Sequence, residues 1–360
     1  MTKSLSINHL DSVTELFAYS ERLGFGELHT KQDPDTGLFA IVAIHNTNLG
    51  PALGGCRCIP YASITAAIVD ALRLAQGMSY KAALANVPQG GAKSVLIRPA
   101  TIKDEQAFFS SFGKFINALN GRYITAVDSG TTLKEMDIIA TQTSYIASSS
   151  AFEGSNGDPS PYTAIGVRRG IEAAVNHLLK RDTLDGLHIA IQGVGTVGYL
   201  LAKALSERGA TLTVADVNQV ATERCRNEFS ATIVPTEEIH KTPCDIFAPC
   251  ALGAILNDAT IPQLKCKIVA GAANNQLAEA RHCQQLGDAN ILYVPDYVLN
   301  AGGLIHASGL YNKVPEHETR QRVTEIYDTV ATILQRAGES QATTCEIADH
   351  IAEERLEIRQ

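Results

Sequence analysis

No stretch of the 360 residues is an apolar run of the roughly 18 residues needed to cross a bilayer, and no segment gathers basic residues. Only 19% of the chain is charged, with 30 Lys and Arg against 38 Asp and Glu, a net charge of −8. That balance argues against nonspecific binding to nucleic acid or to an anionic membrane surface, so neither is expected as a partner. The opening residues, MTKSLSINHLDSVTELFAYSERLG, hold no uninterrupted apolar core of signal-peptide length, and no secretory signal is expected. The 8 cysteines (Cys56, Cys58, Cys225, Cys244, Cys250, Cys266, Cys283, Cys345) are irregularly spaced, without a C-x-x-C pair, and no His pair sits at zinc spacing. Reduced, mostly buried thiols in a cytoplasmic protein are expected, with no disulfide framework and no metal. Internal repeats and low-complexity segments are absent as well.

What is present is ample apolar sequence. At 360 residues and 45% hydrophobic, the chain can build two domains of ordinary size. Residues 38–45, LFAIVAIH, form a β-branched apolar run and read as a strand. SITAAIVDALRLAQGMSYKAAL reads as a helix capped by Ser63, with Ala67, Ala71, Leu74 and Met78 recurring at helical spacing. KSVLIRP reads as a strand, DEQAFFSSFGKFINAL as an amphipathic helix, and RYITAVDSG as a strand running into a turn. Near residue 148 the texture changes: SSSAFEGSNGDPSPYT is rich in Ser, Gly and Pro and reads as a connection. Beyond it, a helix (AIGVRRGIEAAVNHLL) is followed by short apolar runs, CDIFAPC, KIVAGAA and ILYVPDYV among them, alternating with helices. That rhythm predicts a parallel sheet covered on both faces. TTCEIADHIAEERLEI reads as a capped terminal helix. The fold class is α/β, with an N-terminal α/β domain, a hinge, and a doubly wound second domain.

IAIQGVGTVGYLLAKAL places Gly193, Gly195 and Gly198 as G-x-G-x-x-G between a strand and a helix. The first glycine permits a tight turn, the second lets the backbone approach a pyrophosphate, and the third lets the helix pack on the strand. Thr196 and Val197 open that helix, whose free amides suit an anion. The next strand, TLTVAD, ends in Asp216, where a carboxylate can bind both ribose hydroxyls. Val217, Asn218 and Gln219 follow, with no basic residue to receive a 2′-phosphate, so NAD is expected rather than NADP. A structural glycine turn without nucleotide is the bland alternative.

Two lysines in QGMSYKAALANVPQGGAKSVLI, Lys81 and Lys93, stand among residues that normally pack inside, where an unused ammonium is costly. Either alone reads most simply as a solvated charge. Together, near GPALGGCR and AVDSGT, they suggest a site. Lys81 can hold a carboxylate, with amides from a Gly54–Gly55 turn. A second lysine, with its proton loosened by like charge and desolvation, can serve as general base or acid. Asp128 can be a second proton station, although DSGTT also looks like turn chemistry.

The segments LGPALGGCR, DALRLAQGMSYKAAL, GGAKSVLI, GRYITAVDSGTT, GDPSPYTAIGV, IQGVGTVG, DIFAPCALGAILND, AGAANNQL and PDYVLNAGG resemble the amino-acid dehydrogenase family that contains glutamate, leucine, valine and phenylalanine dehydrogenases, its leucine-type members most. The resemblance runs from about residue 37 to the C-terminus, and the first thirty-odd residues match poorly. It implies that residues 1–147 bind the substrate and oligomerise, joined by a terminal helix at 345–360. Residues 148–344 would form the Rossmann domain, with an active-site cleft between the two. Lys81 would hold the substrate α-carboxylate, Lys93 would activate water and polarise the carbonyl, and Asp128 would exchange a proton with the amino nitrogen. Asn275 would contact substrate, while Thr163, Ala251 and Asn274 would line the nucleotide site. The implied reaction is reversible oxidative deamination of an amino acid to a 2-oxo acid, ammonium and NADH. A homo-oligomer, an octamer or a dimer, is implied too.

In glutamate-type members a lysine before the glycine pair binds the side-chain carboxylate. Here that position is Leu53, and a second carboxylate would lose a partner at a cost of order several kcal/mol. The other pocket positions map to Ala126, Leu304 and Ala307, all apolar. Leucine and other branched-chain amino acids are therefore the expected substrates. One methylene gives only about 1–3 kcal/mol of discrimination, and His306, where leucine-type members commonly carry asparagine or glutamine, leaves phenylalanine or another aromatic amino acid as an alternative. A catalytically silent NAD-binding regulator is a remoter one.

Overall fold

The computed structural model describes residues 13–151 and 158–357. They divide into two compact units, Met1–Gly157 with Arg355–Gln360, and Asp158–Glu354. The division thus falls later than the expected 147/148, and the terminal helix goes with the second unit as far as Glu354. The expected connection at 148–163 lies partly on 152–157, outside the described residues, and its last residues are already helical.

The first unit runs α1 (Val13–Arg22), β1 (Glu27–Asp33), β2 (Leu38–Asn46), β3 (Ala52–Ile59), α2 (Ile64–Leu84), β4 (Gly90–Ile97), α3 (Glu105–Ala118), β5 (Tyr123–Val127) and α4 (Leu133–Ala140). Its sheet has the order β1-β2-β4-β3-β5. Pairing is antiparallel for β1/β2 and β2/β4 and parallel for β4/β3 and β3/β5. The unbroken apolar run of β2 has a simple cause: the sheet is covered on both sides. Successive side chains of a strand point to opposite faces. Ala40, Val42 and Ile44 pack with Phe108 and Phe112 of α3 and Met136 and Ile139 of α4. Ile41 and Ala43 pack with Ala67, Ala71, Leu72 and Ala75 of α2. Ser63 caps α2 as expected, its side chain accepting from the Ala66 amide, but Leu72, Ala75 and Ser79 take the inner face that Leu74 and Met78 were expected to share.

Two expectations are corrected here. Gly54 and Gly55 do not form a turn; they lie inside β3, paired with Thr125 and Ala126 of β5. The glycines of PQGGAK do not precede a strand either; they begin β4, so Lys93 stands in its middle. Both pairs permit close approach of backbones, a recognised use of glycine within strands.

The second unit begins with α5 (Ser160–Leu179), which starts four residues before the expected Ala164, with Pro161 in its first turn. Then come β6 (His188–Gln192), α6 (Thr196–Ser206), β7 (Thr211–Ala215), α7 (Gln219–Phe229), β8 (Thr232–Ile233), β9 (Ile246–Pro249), β10 (Ile268–Val269), α8 (Arg281–Asp288) and β11 (Leu292–Tyr293). The order β11-β10-β9-β6-β7-β8 is parallel throughout, as the alternation of apolar runs and helices predicted. ILYVPDYV is strand only at Leu292–Tyr293; after Pro295 the chain turns into α9 (Asp296–Leu299). The helices α10 (Gly302–Tyr311), α11 (Glu316–Thr324), α12 (Ile326–Glu339) and α13 (Thr344–Glu357) complete the chain. All eight cysteines are free, and no helix among the described residues is long and apolar enough to cross a membrane.

Candidate active site

In the first unit, three adjacent strands of the sheet each present one charged group to the same place. Lys93 rises from β4 and is buried, with 5% of its surface exposed. Its Nζ lies 2.8 Å from Asp128 Oδ2, just past the end of β5. Arg57, on β3 between them, donates from Nε to the same Oδ2 at 3.1 Å. The Asp128 backbone N–H donates to Thr131 Oγ1 at 3.0 Å, and the Thr131 hydroxyl donates to the Cys56 carbonyl at 2.8 Å, so the carboxylate sits on a braced turn. The turn chemistry of DSGTT and the proton-station reading are therefore compatible: the turn aims the carboxylate.

Burial pushes the Asp128 carboxyl up, but the Lys93 ammonium and then the Arg57 guanidinium outweigh it and hold it below the usual carboxylate range. Burial opposes the Arg57 charge, and the carboxylates of Asp128 and Asp70 outweigh that. The cluster is charged but compensated, the condition under which ions persist in a largely dry site.

The glycines make this closeness possible. A Cβ on Gly55 would fall 2.7 Å from Asp128 Cβ and 3.2 Å from Lys93 Nζ, so any side chain there would displace the pair. A Cβ on Gly54 would fall 1.8 Å from the Ala92 carbonyl oxygen. Tyr123 donates its hydroxyl to the Gly54 carbonyl at 2.8 Å, and burial keeps that phenol protonated. Helix α2 lies equally close on β4: a Cβ on Gly91 would meet Ser79 N at 2.0 Å. Lys81, half-buried, leaves α2 two residues beyond Ser79, and Lys93 leaves β4 two residues beyond Gly91. Leu53, 2% exposed, pairs with Gly91 and Ile124, and Ala126 with Gly55, so both apolar pocket candidates of this unit are neighbours of the charged cluster.

The second unit carries a different kind of site. Gly193 has φ +90°, a left-handed conformation that favours glycine, and a Cβ there would meet Ala251 at 2.7 Å. A Cβ on Gly198 would lie 2.0 Å from the Gly193 carbonyl oxygen, so α6 rests directly on the strand end. Gly195 differs: a Cβ there would meet nothing within 4 Å. The loop thus leaves open space at the head of α6, where Gly195 and Thr196 are exposed, Val197 is half-buried and unpaired amides face outward. Asp216 stands just past the end of β7, accepting from Val194 N at 2.7 Å and from Asn218 N at 2.8 Å. Val217 beside it is 90% exposed. Open cradle, helix terminus and carboxylate fit a dinucleotide, with pyrophosphate on α6 and ribose at Asp216.

The remaining candidates also belong to this unit. Ala251 abuts Gly193. Asn274 accepts from Asn300 Nδ2 at 2.9 Å. Asn275 is exposed and left-handed, with φ +52°. Thr163 of α5 donates its hydroxyl to the Pro159 carbonyl at 3.1 Å, and a Cβ on Gly303 of α10 would lie 3.1 Å from its Oγ1. Leu304 and Ala307 share one face of α10 at i, i+3 spacing. His306 does not share it: its ring stacks on Tyr162 at 4.0 Å, inside the unit, with 3% of its surface exposed.

The sequence reading missed Arg57, Asp70, Tyr61 and Thr131. Arg57 carried the signal that drew attention to the lysines, a charge inside an apolar strand (ALGGCRCI), and Asp70 is the acidic residue of an otherwise apolar helical stretch, ITAAIVDAL.

Comparison with known proteins gives a consistent picture. The family described as Glu/Leu/Phe/Val dehydrogenase, dimerisation domain, matches residues 26–145, and Glutamate/Leucine/Phenylalanine/Valine dehydrogenase matches 214–353. A leucine dehydrogenase of Bacillus cereus is 48% identical over 342 residues, 95% of this chain and 93% of that one. A phenylalanine dehydrogenase of Thermoactinomyces intermedius is 42% identical over 344 residues, 95% of this chain and 94% of that one. Among solved structures, L-tryptophan dehydrogenase from Nostoc punctiforme superposes with a TM-score of 0.86 at 40% identity, covering 95% of this chain and 99% of that one.

Proposed function

The chain belongs to the Glu/Leu/Phe/Val dehydrogenase family, and we propose that, as an NAD-dependent amino-acid dehydrogenase, it acts on L-leucine and other branched-chain amino acids. One observation carries the reading: the Lys93–Asp128 pair, 2.8 Å apart, beside a glycine whose missing side chain lets the two stand so close.

Lys81 holds the substrate α-carboxylate. Asp128 removes a proton from the amino nitrogen, so that the nitrogen lone pair can assist as the Cα–H bond breaks. Bound NAD supplies one thing, acceptance of the hydride. The resulting imine is attacked by water, and Lys93 in its deprotonated form takes the water's proton. The carbinolamine then collapses to the 2-oxo acid: Asp128 returns its proton to the nitrogen, the C–N bond breaks, and the departing ammonia takes the hydroxyl proton and leaves as ammonium. Pyrophosphate rests on the amides of Gly195, Thr196 and Val197, and the ribose hydroxyls on Asp216. Thr163, Ala251 and Asn274 complete the nucleotide site, and Asn275 contacts the substrate.

Leu53 supports an apolar side chain in the substrate. It is buried and uncharged, so a second carboxylate would meet no cation there. Ala126 in the same unit is apolar as well, and Leu304 and Ala307 are apolar positions of the second unit. His306, turned into the second unit against Tyr162, does not weigh toward aromatic substrates. The protein works in the cytoplasm as a homo-oligomer, a state light scattering measures.

The test is turnover of an amino-acid panel with NAD and with NADP, followed by NADH absorbance. Leucine, isoleucine and valine with NAD should exceed phenylalanine, with glutamate inert. Faster turnover of phenylalanine would displace the branched-chain assignment; silence with every amino acid would displace the enzyme itself.

A further inference from the structure

Asp128 is gripped unevenly. Both cations reach the same oxygen, Oδ2: Lys93 at 2.8 Å and Arg57 at 3.1 Å. Oδ1 accepts from no described residue. Arg57 is itself fixed from behind. Its Nη1 donates to Asp70 Oδ2 on α2 at 2.9 Å, and Tyr61 donates its hydroxyl to that same oxygen at 2.6 Å. Burial and the Asp70 charge both keep the Tyr61 phenol protonated, so it stays a donor. The planar guanidinium therefore bridges two carboxylates, one at the site and one on the helix that also carries Lys81.

We propose that Arg57, clamped by Asp70 and Tyr61, is a positioning residue for the proton-transfer step, holding Asp128 by Oδ2 so that Oδ1 is presented to the substrate's amino nitrogen. This rests on the amino-acid dehydrogenase reading above and deepens it. A carboxylate pinned by one oxygen keeps a fixed plane, and fixed geometry is what proton transfer at hydrogen-bond distance needs. Gly55, whose Cβ would fall 2.7 Å from Asp128 Cβ, lets the carboxylate and Lys93 stand this close to β3.

Arg57 also sets charge. The groups facing Asp128 are Lys93 from β4, Arg57 and the Cys56 thiol from β3 and the Tyr123 phenol from β5, the last two kept protonated by burial; those facing Arg57 are Asp128, Asp70 and Tyr61. Removing the guanidinium removes a cation beside Asp128. The Asp128 carboxyl then holds its proton more tightly, so the pH dependence of turnover must move to higher pH, by about one pH unit.

The experiment compares wild type, Arg57→Met and Arg57→Lys, each as the full chain with melting temperature checked, in kcat and KM for leucine from pH 6 to 11. Arg57→Met should lose roughly 10-fold or more in kcat at neutral pH and shift its profile upward, with KM for leucine nearly unchanged because Lys81 still holds the carboxylate. Arg57→Lys keeps the charge but not the fork, so its profile should stay in place while kcat falls several-fold. A profile of Arg57→Met that superposes on wild type, or an undiminished kcat, overturns the proposal. Should Arg57→Met fail to fold, Arg57→Lys decides: an unchanged kcat overturns it, and a lowered kcat at constant KM supports it. Wild-type turnover separates the levels. If wild type turns over no amino acid, the dehydrogenase reading falls and the positioning role with it; if wild type is active and the Arg57 variants match it, only the positioning role falls.

Discussion

In the first unit, a Cβ added to Gly54 would lie 1.8 Å from a backbone oxygen, and one added to Gly55 would press on the Lys93–Asp128 pair. In the second, a Cβ added to Gly195 would meet nothing within 4 Å. The same residue type serves opposite ends. In the charged cluster, glycine lets strands and side chains crowd until three ionised groups share one small volume. At the nucleotide loop, glycine keeps a volume empty and offers amides around it. The first site acts through side chains whose protons can move, the second through backbone that holds a ligand still. The comparison teaches where each site is fragile: crowding fails by loss of fold or of chemistry, openness by loss of affinity.

The largest effect belongs to the chemistry. Lys93→Ala should lower kcat with leucine and NAD by at least about 10²-fold, the usual contribution of a general acid–base group. NAD affinity, measured by fluorescence titration, should be unchanged, because the loop at Gly193–Gly198 is untouched. A variant that kept kcat but lost NAD affinity would reverse the division of labour described here.

Next in size is a matched pair of glycine substitutions. Gly54→Ala drives a methyl into the Ala92 carbonyl, a backbone atom between paired strands that cannot easily yield. Overpacking of this kind costs about 1–3 kcal/mol and occasionally more, so the melting temperature should drop by several degrees and soluble yield with it. Gly195→Ala has room and an ordinary φ of −63°, so its melting temperature should match wild type. Its methyl would instead stand where a pyrophosphate must approach, and KM for NAD should rise about tenfold, the equivalent of 1.4 kcal/mol. Equal melting temperatures for the two variants would break the contrast between crowded and open glycine.

Much of both sites was legible in the sequence, and the reason is local. G-x-G-x-x-G, the strand before it, the helix after it and Asp216 all lie within one short segment, so spacing alone defines them. The lysines were legible because charge inside apolar sequence is expensive. Arg57 obeyed the same rule and was missed, since its meaning depends on Asp70, 13 positions away, and Asp128, 71 positions away. The glycine pairs were misplaced for a related reason. Gly-Gly looks like a turn wherever it occurs; only the long-range pairing of β3 between β4 and β5 makes it a strand. The segment from Asp296 to Glu339 folds into α9 to α12, where ILYVPDYV suggested strand to its end, because Pro295 stops the strand and starts a helix.

The smallest effect concerns a residue that belongs to neither style of site. His306 is buried against Tyr162, its Nε2 has no hydrogen-bond partner, and burial holds its pKa below the ordinary 6.5 while Glu316 and Asp158 pull upward and Arg320 downward. A group with a depressed folded pKa favours the fold while it is neutral. Its contribution is complete above the unfolded value near 6.5 and is lost as pH falls through the folded value. His45 behaves the same way in the first unit, buried with Nε2 on the Leu23 carbonyl and Nδ1 on Ser79. Stability should therefore decline from about pH 6.5 downward, before the Asp128 carboxylate, whose pKa lies below 3.8, begins to protonate. His306→Phe preserves a ring to stack on Tyr162 and removes the orphaned nitrogen. Its melting temperature at pH 7.5 should equal or exceed wild type, and its loss between pH 6.5 and 5.5 should be shallower, with the remaining slope assigned to His45 and to His29, His177 and His240, whose pKa burial also lowers. A steeper slope in His306→Phe would mean that the buried ring is charged in the folded protein.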